Sequence, residues 1–253
     1  MINPYDYLQE NETLDDLLIG NKKIIQPKKG YRFSIDSVIL AHFPELKGIK
    51  TAVDLGSGSG VIPIILSQRQ RKMKIIGIEM QPEMVARAKR SLLINELEER
   101  IEFIKTDVKN MEKELKGGFV DLVVSNPPFW RDKEGKISLN KEEAIARHEL
   151  EINAEQIITK ASYLLKNLGK LAIIHRADRL NELLELFNSN KIAVKKIQMV
   201  HPFINKDAKM VLIEGQKNAK NSGVIIKPPI IIYNQPGEYT QEVLKTYYGK
   251  GDD

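Results

Sequence analysis

The constraint that leaves the fewest folds open is a rhythm. From Thr51 onward, short β-branched runs (TAVDL, KIIGIE, IEFIKTD, FVDLVVS, GKLAIIH) alternate with segments of helical period over 61–70, 82–95, 108–115 and 154–167. Strands separated by helices must be joined by right-handed crossovers, which build a mainly parallel sheet covered on both faces. The predicted fold is therefore doubly wound α/β. After a helix over HRADRLNELLELFNSN the rhythm breaks, because KIAVKKIQMV and AKMVLIEGQK are separated only by a loop around HPFINKD. That pair predicts a C-terminal antiparallel hairpin closing a seven-stranded sheet.

With 253 residues, 42% of them hydrophobic, the chain can bury one substantial core. The organisation expected is a domain over 49–217 flanked by extensions over 1–48 and 218–253, the latter holding a basic turn, a proline-broken strand and a short helix. No cysteine is present, which excludes disulfides and thiolate metal sites and favours a reducing compartment, the cytosol. His42, His175 and His201 show no metal-ligand spacing, so no metal is expected. The opening MINPYDYLQENETLDD has neither a basic leader nor an apolar core, and runs such as VIPIIL are far below membrane-spanning length. A net charge of +5 suits a polyanionic partner without requiring one.

The loop VDLGSGSGVIP lies where the first run gives way to its helix, so Gly56 and Gly58 would let backbone approach a ligand at a helix N-terminus. In the dinucleotide fingerprint starting at Gly56 the third glycine falls on Val61, and Gly60 is one place out of register. Asp54 ends the strand just before the loop. A carboxylate there repels a pyrophosphate and attracts the ammonium and sulfonium charges of S-adenosylmethionine; a helix-capping or turn acid is the plainer alternative. Glu79 ends the second run, where it can accept from both ribose hydroxyls, and Asp107 ends the third, where it can accept from an adenine amine. Three successive strands thus end in an acid or the glycine loop at one sheet edge, the edge where such folds bind ligands.

The fourth run stops in VVSNPPFW. Prolines cannot donate to a ladder and stiffen the chain, so Asn126, Pro127, Pro128 and Phe129 form a rigid loop facing the same crevice. A planar substrate with an exocyclic amine explains each residue type. The Asn126 side-chain carbonyl and the Pro127 backbone carbonyl each accept one amine hydrogen, and Phe129 offers a face for stacking. The plainer alternative is a proline turn with Phe129 as a buried plug.

These motifs resemble the class I S-adenosylmethionine-dependent methyltransferases with an N/D-P-P-Y/F amino-methylating motif, and more closely the tRNA1(Val) adenine-N6 methyltransferase family. The resemblance runs through FSIDSVILAHF, VDLGSGSGVIPIILSQR, IIGIEMQPEMVARAKRSL, VVSNPPFW, IARHE, KASYLLKNLGKLAIIHRADRL, MVLIEGQK and GEYTQEV. It implies a Rossmann-like methyltransferase fold and methyl transfer to N6 of an adenine in the tRNA anticodon loop. It also implies that Asp54, Gly56, Ser57, Gly58, Gly60, Glu79, Met80, Asp107, Val108 and Asn126 hold the cofactor, while Asn126, Pro127, Pro128 and Phe129 hold the adenine. Within the 1–48 extension, FSIDS resembles the family's segment that packs over the cofactor, which adds Asp36; a helix N-cap is its alternative. Trp130 would extend the platform, and Arg147 and His148 follow a charged loop that could close over substrate, read here as a solvated loop.

The same motif chemistry serves guanine N2 in ribosomal RNA and glutamine amides in release factors, and both acceptors stay open. The segment ahead of Thr51 is short for the helical substrate domain of release-factor enzymes. Lys195, Lys196, Lys206, Lys209, Lys217 and Lys220 around the C-terminal hairpin are candidates for phosphate contacts, or simply a solvated face. A non-catalytic cofactor- or RNA-binding module is the reading from another class; a nicotinamide enzyme is disfavoured by Val61 and Asp54. A monomer acting on RNA in the cytosol, without membrane or metal, is the expected setting.

Overall fold

The structure, a computed structural model, describes residues 3–30, 32–127 and 153–247. Its first element pair is one the rhythm did not announce: β1 (Glu12–Asp16) and β2 (Lys23–Pro27) form an antiparallel hairpin. Helix α1 (Ile35–His42) follows, and then the parallel strands begin. These are β3 (Thr51–Leu55), β4 (Lys74–Glu79), β5 (Ile101–Lys105), β6 (Val120–Ser125) and β7 (Leu165–Arg176). Between them lie α2 (Val61–Arg69), α3 (Pro82–Asn95), a 3-10 turn over Val108–Lys113, and α4 (Ala154–Leu164). Helix α5 (Leu180–Ser189) leads into β8 (Ile192–His201) and β9 (Met210–Lys217).

Among the described residues the sheet runs β8-β9-β7-β6-β3-β4-β5, with β9 antiparallel between β7 and β8. The predicted seven strands and closing hairpin are all present. The described sheet is wider by two short strands, β10 (Ile225–Ile226) and β11 (Ile230–Ile231), which add in parallel to β8. The prolines at 228 and 229 divide one apolar run into these two pieces, because neither can donate to a ladder. A small hairpin of β12 (Tyr233–Gln235) and β13 (Glu238–Tyr239) precedes the last helix, α6 (Gln241–Tyr247).

One boundary differs from expectation. The fourth helix ends at Leu164 rather than 167, since Leu165 turns extended (φ −64°, ψ 133°) to open β7. Leu165 is wholly buried and pairs with Val120, while Leu122 pairs with Lys170, so the residues between form a bulge. Burying that leucine against the sheet outweighs one more helical turn.

Both sheet faces are covered, as parallel strands require. Ala52, Leu122 and Val124 pack with α1, α2 and α3, whereas Val53, Val120 and Val123 pack with α4 and α5. The C-terminal helix joins the first of these cores through Val243, with Tyr247 packed against it. Among the described residues no helix is long and apolar enough to cross a membrane.

Candidate functional site

The carboxyl ends of β3, β4, β5 and β6 form one edge, and the pairing fixes what meets there. Asp54 lies opposite Val124 on β6 and Gly77 on β4, so Gly56 and Asn126, each two residues further on, emerge side by side. Glu79 lies opposite Lys105 on β5, two residues before Asp107. The predicted acids and the asparagine therefore share one rim.

The glycine loop is bound to the end of β4. The Gly56 and Ser57 N–H groups both donate to the Ile78 carbonyl at 2.9 Å, and Gly58 N–H donates to Glu79 Oε2 at 2.9 Å. Glu79 Oε1 accepts from the Gln81 N–H at 2.9 Å, so this buried carboxylate holds both the loop and the start of α3. Gly60 caps α2 with φ +91°, and a Cβ there would lie 2.6 Å from the Phe103 ring. Only glycine fits that angle and that gap.

Asp54 is fully buried and accepts a hydrogen bond from Ser57 Oγ at 2.6 Å through Oδ2. Its Oδ1 has no partner among the described residues. Burial drives the carboxyl up to about 7, the Ser57 hydrogen bond opposes that rise, and the nearby Glu79 charge adds to it. A buried acceptor in this state costs free energy until a cation or donor arrives.

Asn126 shows the same incompleteness. Its Nδ2 donates to Ser37 Oγ at 2.9 Å, and its buried Oδ1 has no partner among the described residues. Pro127 is buried beside it. Pro128, Phe129, Trp130, Arg147 and His148 lie outside the described residues. Two partnerless oxygens thus stand on neighbouring strands, one suited to a cationic group and one to an N–H donor.

The remaining predicted residues take recognisable places. Asp107 is half-buried and caps the 3-10 turn by accepting the Lys109 N–H at 2.8 Å, which leaves its second oxygen for other donors. Val108 is buried, and Met80, the residue after β4, is half-buried. Asp36 is not the helix N-cap; Ser34 holds that position, and Asp36 stands in the first turn of α1 and accepts from Ser34 Oγ at 3.0 Å. Burial raises its carboxyl.

The lysines do not form one patch. Lys196 donates to the Phe43 carbonyl and pairs with Glu214, and Lys217 donates to the carbonyls of Ser162 and Leu165. Lys195 donates to the carbonyls of Lys220 and Ser222, near the opposite end of the sheet from Asn126. Lys206 and Lys209 are exposed in the loop after β8, whose carboxyl end lies on the same edge as the site. Sequence reasoning missed Ser37 as the partner of Asn126, and it missed Gln26 in β2, whose amide reaches Ser59 in the glycine loop. The one signal for Gln26 was a polar residue inside the run KIIQP. Among the described residues no group of three or more His, Asp or Glu could hold a metal ion.

Comparison with known proteins gives the chain its family. The chain is 28% identical over 198 residues to the tRNA1(Val) (adenine(37)-N6)-methyltransferase of Porphyromonas gingivalis, covering 76% of each chain. It is 24% identical over 223 residues to the protein of that name in Haemophilus influenzae, covering 87% of this chain and 92% of the other. The fold matches a predicted O-methyltransferase of Agrobacterium tumefaciens with a TM-score of 0.68 at 22% identity, covering 86% of this chain and 98% of that one. It also matches a geranyl diphosphate C-methyltransferase of Streptomyces coelicolor, solved with S-adenosyl-L-homocysteine, at a TM-score of 0.51 and 12% identity over 66% of this chain and 71% of that one. The model of the methyltransferase small domain spans residues 35–200, from the start of α1 to the end of β8, and so takes in the whole described rim. This chain belongs to the methyltransferase small domain family.

Proposed function

We propose that the chain is an S-adenosylmethionine-dependent methyltransferase acting on N6 of an adenine in tRNA. The observation that carries the reading is the pair of buried oxygens without partners among the described residues, Asp54 Oδ1 and Asn126 Oδ1, at the carboxyl ends of adjacent strands of one sheet edge. The relatives named for tRNA adenine-N6 methylation support the choice of acceptor.

The residues present fit the cofactor. Asp54 supplies an acceptor for its ammonium, Glu79 has lone pairs beyond its two backbone bonds for ribose hydroxyls, and Asp107 keeps an oxygen for the adenine amine. Gly56, Ser57, Gly58 and Gly60 let the backbone come close, Met80 and Val108 supply apolar contact, and Asp36 closes the α1 side. When bound, the sulfonium supplies an electrophilic methyl with a good leaving group.

Asn126 Oδ1 accepts one hydrogen of the substrate amine, and the Pro127 carbonyl accepts the other. Both bonds bias the nitrogen lone pair out of conjugation with the ring and toward the methyl, which is a positioning effect rather than base catalysis. The amine loses its proton to solvent after transfer, and Pro128 and Phe129 complete the base pocket in this reading. The exposed ammonium groups of Lys206 and Lys209 lie on the side from which an RNA backbone would approach. The same reading takes the enzyme to act as a monomer in the cytosol.

The test separates rate from binding. Asn126→Ala should lower the methylation rate by about 100-fold or more, the scale of losing an oriented polar contact to the reacting group, with S-adenosylhomocysteine affinity within a few-fold of wild type. A parallel loss of cofactor affinity would assign Asn126 to cofactor binding alone.

A further inference from the structure

The N-terminal hairpin reaches the site through the Gln26 side chain. Gln26 has no exposed surface, and its amide is fully engaged. Nε2 donates to Ser59 Oγ at 2.5 Å and to the Ile25 carbonyl at 3.1 Å, while Oε1 accepts the Phe33 N–H at 3.1 Å. Ser59 sits between Gly58, which Glu79 holds, and Gly60, which caps α2. Phe33 opens the segment that continues into α1, where Ser37 accepts from Asn126.

The hairpin itself is anchored elsewhere, on α3. Glu12 accepts from Arg87 at 3.0 Å and from both Arg90 nitrogens at 2.6 and 2.7 Å. The Ile25 N–H donates to Ser91 Oγ, and Asn95 exchanges hydrogen bonds with the Lys23 backbone. Gln26 is therefore a fixed post on α3, held independently of the glycine loop it bonds, while Arg32, next to Phe33, also ties that segment to the hairpin through Thr13, Asp15 and the Pro27 carbonyl. A primary amide buried in this way is tolerated only because every arm is satisfied, and two of its arms end on different segments, the glycine loop and the approach to α1.

We infer that Gln26 is a positioning residue that sets the glycine loop and the Asn126-bearing side of the site relative to each other. The inference rests on the cofactor reading given above. It predicts coupling that neither loop nor helix would show alone: losing the Ser59 arm loosens the cofactor loop, and losing the Phe33 arm loosens the support of Ser37 and so of Asn126.

Two variants of the full chain separate the arms. Gln26→Met keeps an unbranched side chain of similar volume and removes all three bonds; Ser59→Ala removes the loop arm only. By calorimetry, Gln26→Met should bind S-adenosylhomocysteine about tenfold more weakly, Ser59→Ala several-fold more weakly, and the double variant no more weakly than Gln26→Met, since the bond that Ser59→Ala breaks is one of the three that Gln26→Met already removes. Amide exchange without ligand should quicken at Phe33 in Gln26→Met and not in Ser59→Ala, and kcat at saturating cofactor should fall only in the former. Additive losses in the double variant, or Phe33 exchange unchanged in Gln26→Met, would overturn the inference. If Gln26→Met does not fold, Ser59→Ala decides alone: unchanged exchange at Gly60 and cofactor affinity within twofold of wild type would overturn it. A wild-type chain that binds no S-adenosylhomocysteine would instead contradict the function proposed, while the exchange arms would still report on Gln26.

Discussion

Two buried carboxylates in this molecule meet opposite fates. Glu12, in the N-terminal hairpin, is 5% exposed and accepts hydrogen bonds from Arg87, Arg90 and the Gln9 N–H. Burial alone would raise its carboxyl, but the bonds from Arg90, Gln9 and Arg87 outweigh it and hold the pKa down to about 2. Asp54, at the end of β3, is 0% exposed and has one serine hydroxyl for company; burial, with Glu79 adding to it, pushes its carboxyl up to about 7. The same chain thus completes one buried anion within its scaffold and leaves another incomplete, at the position proposed above for the cofactor's ammonium. Stability and function are separated in space, and the separation can be attacked from both ends.

The largest effect should come from the structural end. Glu12→Ala leaves Arg87 and Arg90 without their anion and should cost about 3 kcal/mol in urea unfolding, the scale of breaking a buried ion pair by removing one partner. Asp54→Asn should move the other way, raising the stability of the ligand-free protein at pH 8 by about 1 kcal/mol while abolishing measurable S-adenosylhomocysteine binding. A destabilised Asp54→Asn protein would break the comparison, because it would make Asp54 a structural residue like Glu12.

Acidity should divide the two groups next. Glu12 has a lowered folded pKa, so its contribution to stability is fully present above the ordinary value of 4.5 and is lost as pH falls toward about 2. Asp54 has a raised one, so below about pH 7 the ligand-free protein holds a proton that an incoming ammonium must expel. Affinity for S-adenosylhomocysteine should then fall by up to about tenfold per unit as pH drops below 7, and level off above it. Calorimetry from pH 5.5 to 8.5 checks this; a flat profile would mean that Asp54 is ionised in the free protein.

The smallest effect belongs to the RNA side. Lys206→Ala and Lys209→Ala should each weaken tRNA binding by a few-fold and lower the salt dependence by about one charge, leaving cofactor affinity untouched. Lys195→Ala, whose ammonium is spent on backbone carbonyls near the far end of the sheet, serves as the control. Equal effects from all three would restore the undivided patch that the sequence suggested.

The sheet, its parallel core and its closing hairpin were legible because periodicity is local, and each strand carries its own β-branched run. The rim was legible for a related reason: parallel strands deliver their last residues to one edge, so Asp54, Glu79, Asp107 and Asn126 could be placed together without any contact being known. What was not legible depended on distance along the chain. Ser37 meets Asn126 across 89 residues and Gln26 meets Ser59 across 33, and no spacing rule predicts either bond. The β1–β2 hairpin escaped notice because β1 reads ETLDD, mostly polar, and its one buried residue is an acid matched by arginines on α3. The overlong fourth helix was a misjudged competition, in which Leu165 buries itself better as the first residue of β7.

The most direct test of the central claim is transfer of a labelled methyl group from S-adenosylmethionine to unmodified tRNA, ribosomal RNA and release factor in parallel, with nucleoside and amino-acid analysis of the labelled product. The account predicts label in tRNA, recovered as N6-methyladenosine and lost in Asn126→Ala. Label recovered as N2-methylguanosine in ribosomal RNA, or on a release-factor glutamine, would contradict the acceptor assigned to this site; no label in any acceptor, with S-adenosylhomocysteine bound, would contradict catalysis itself.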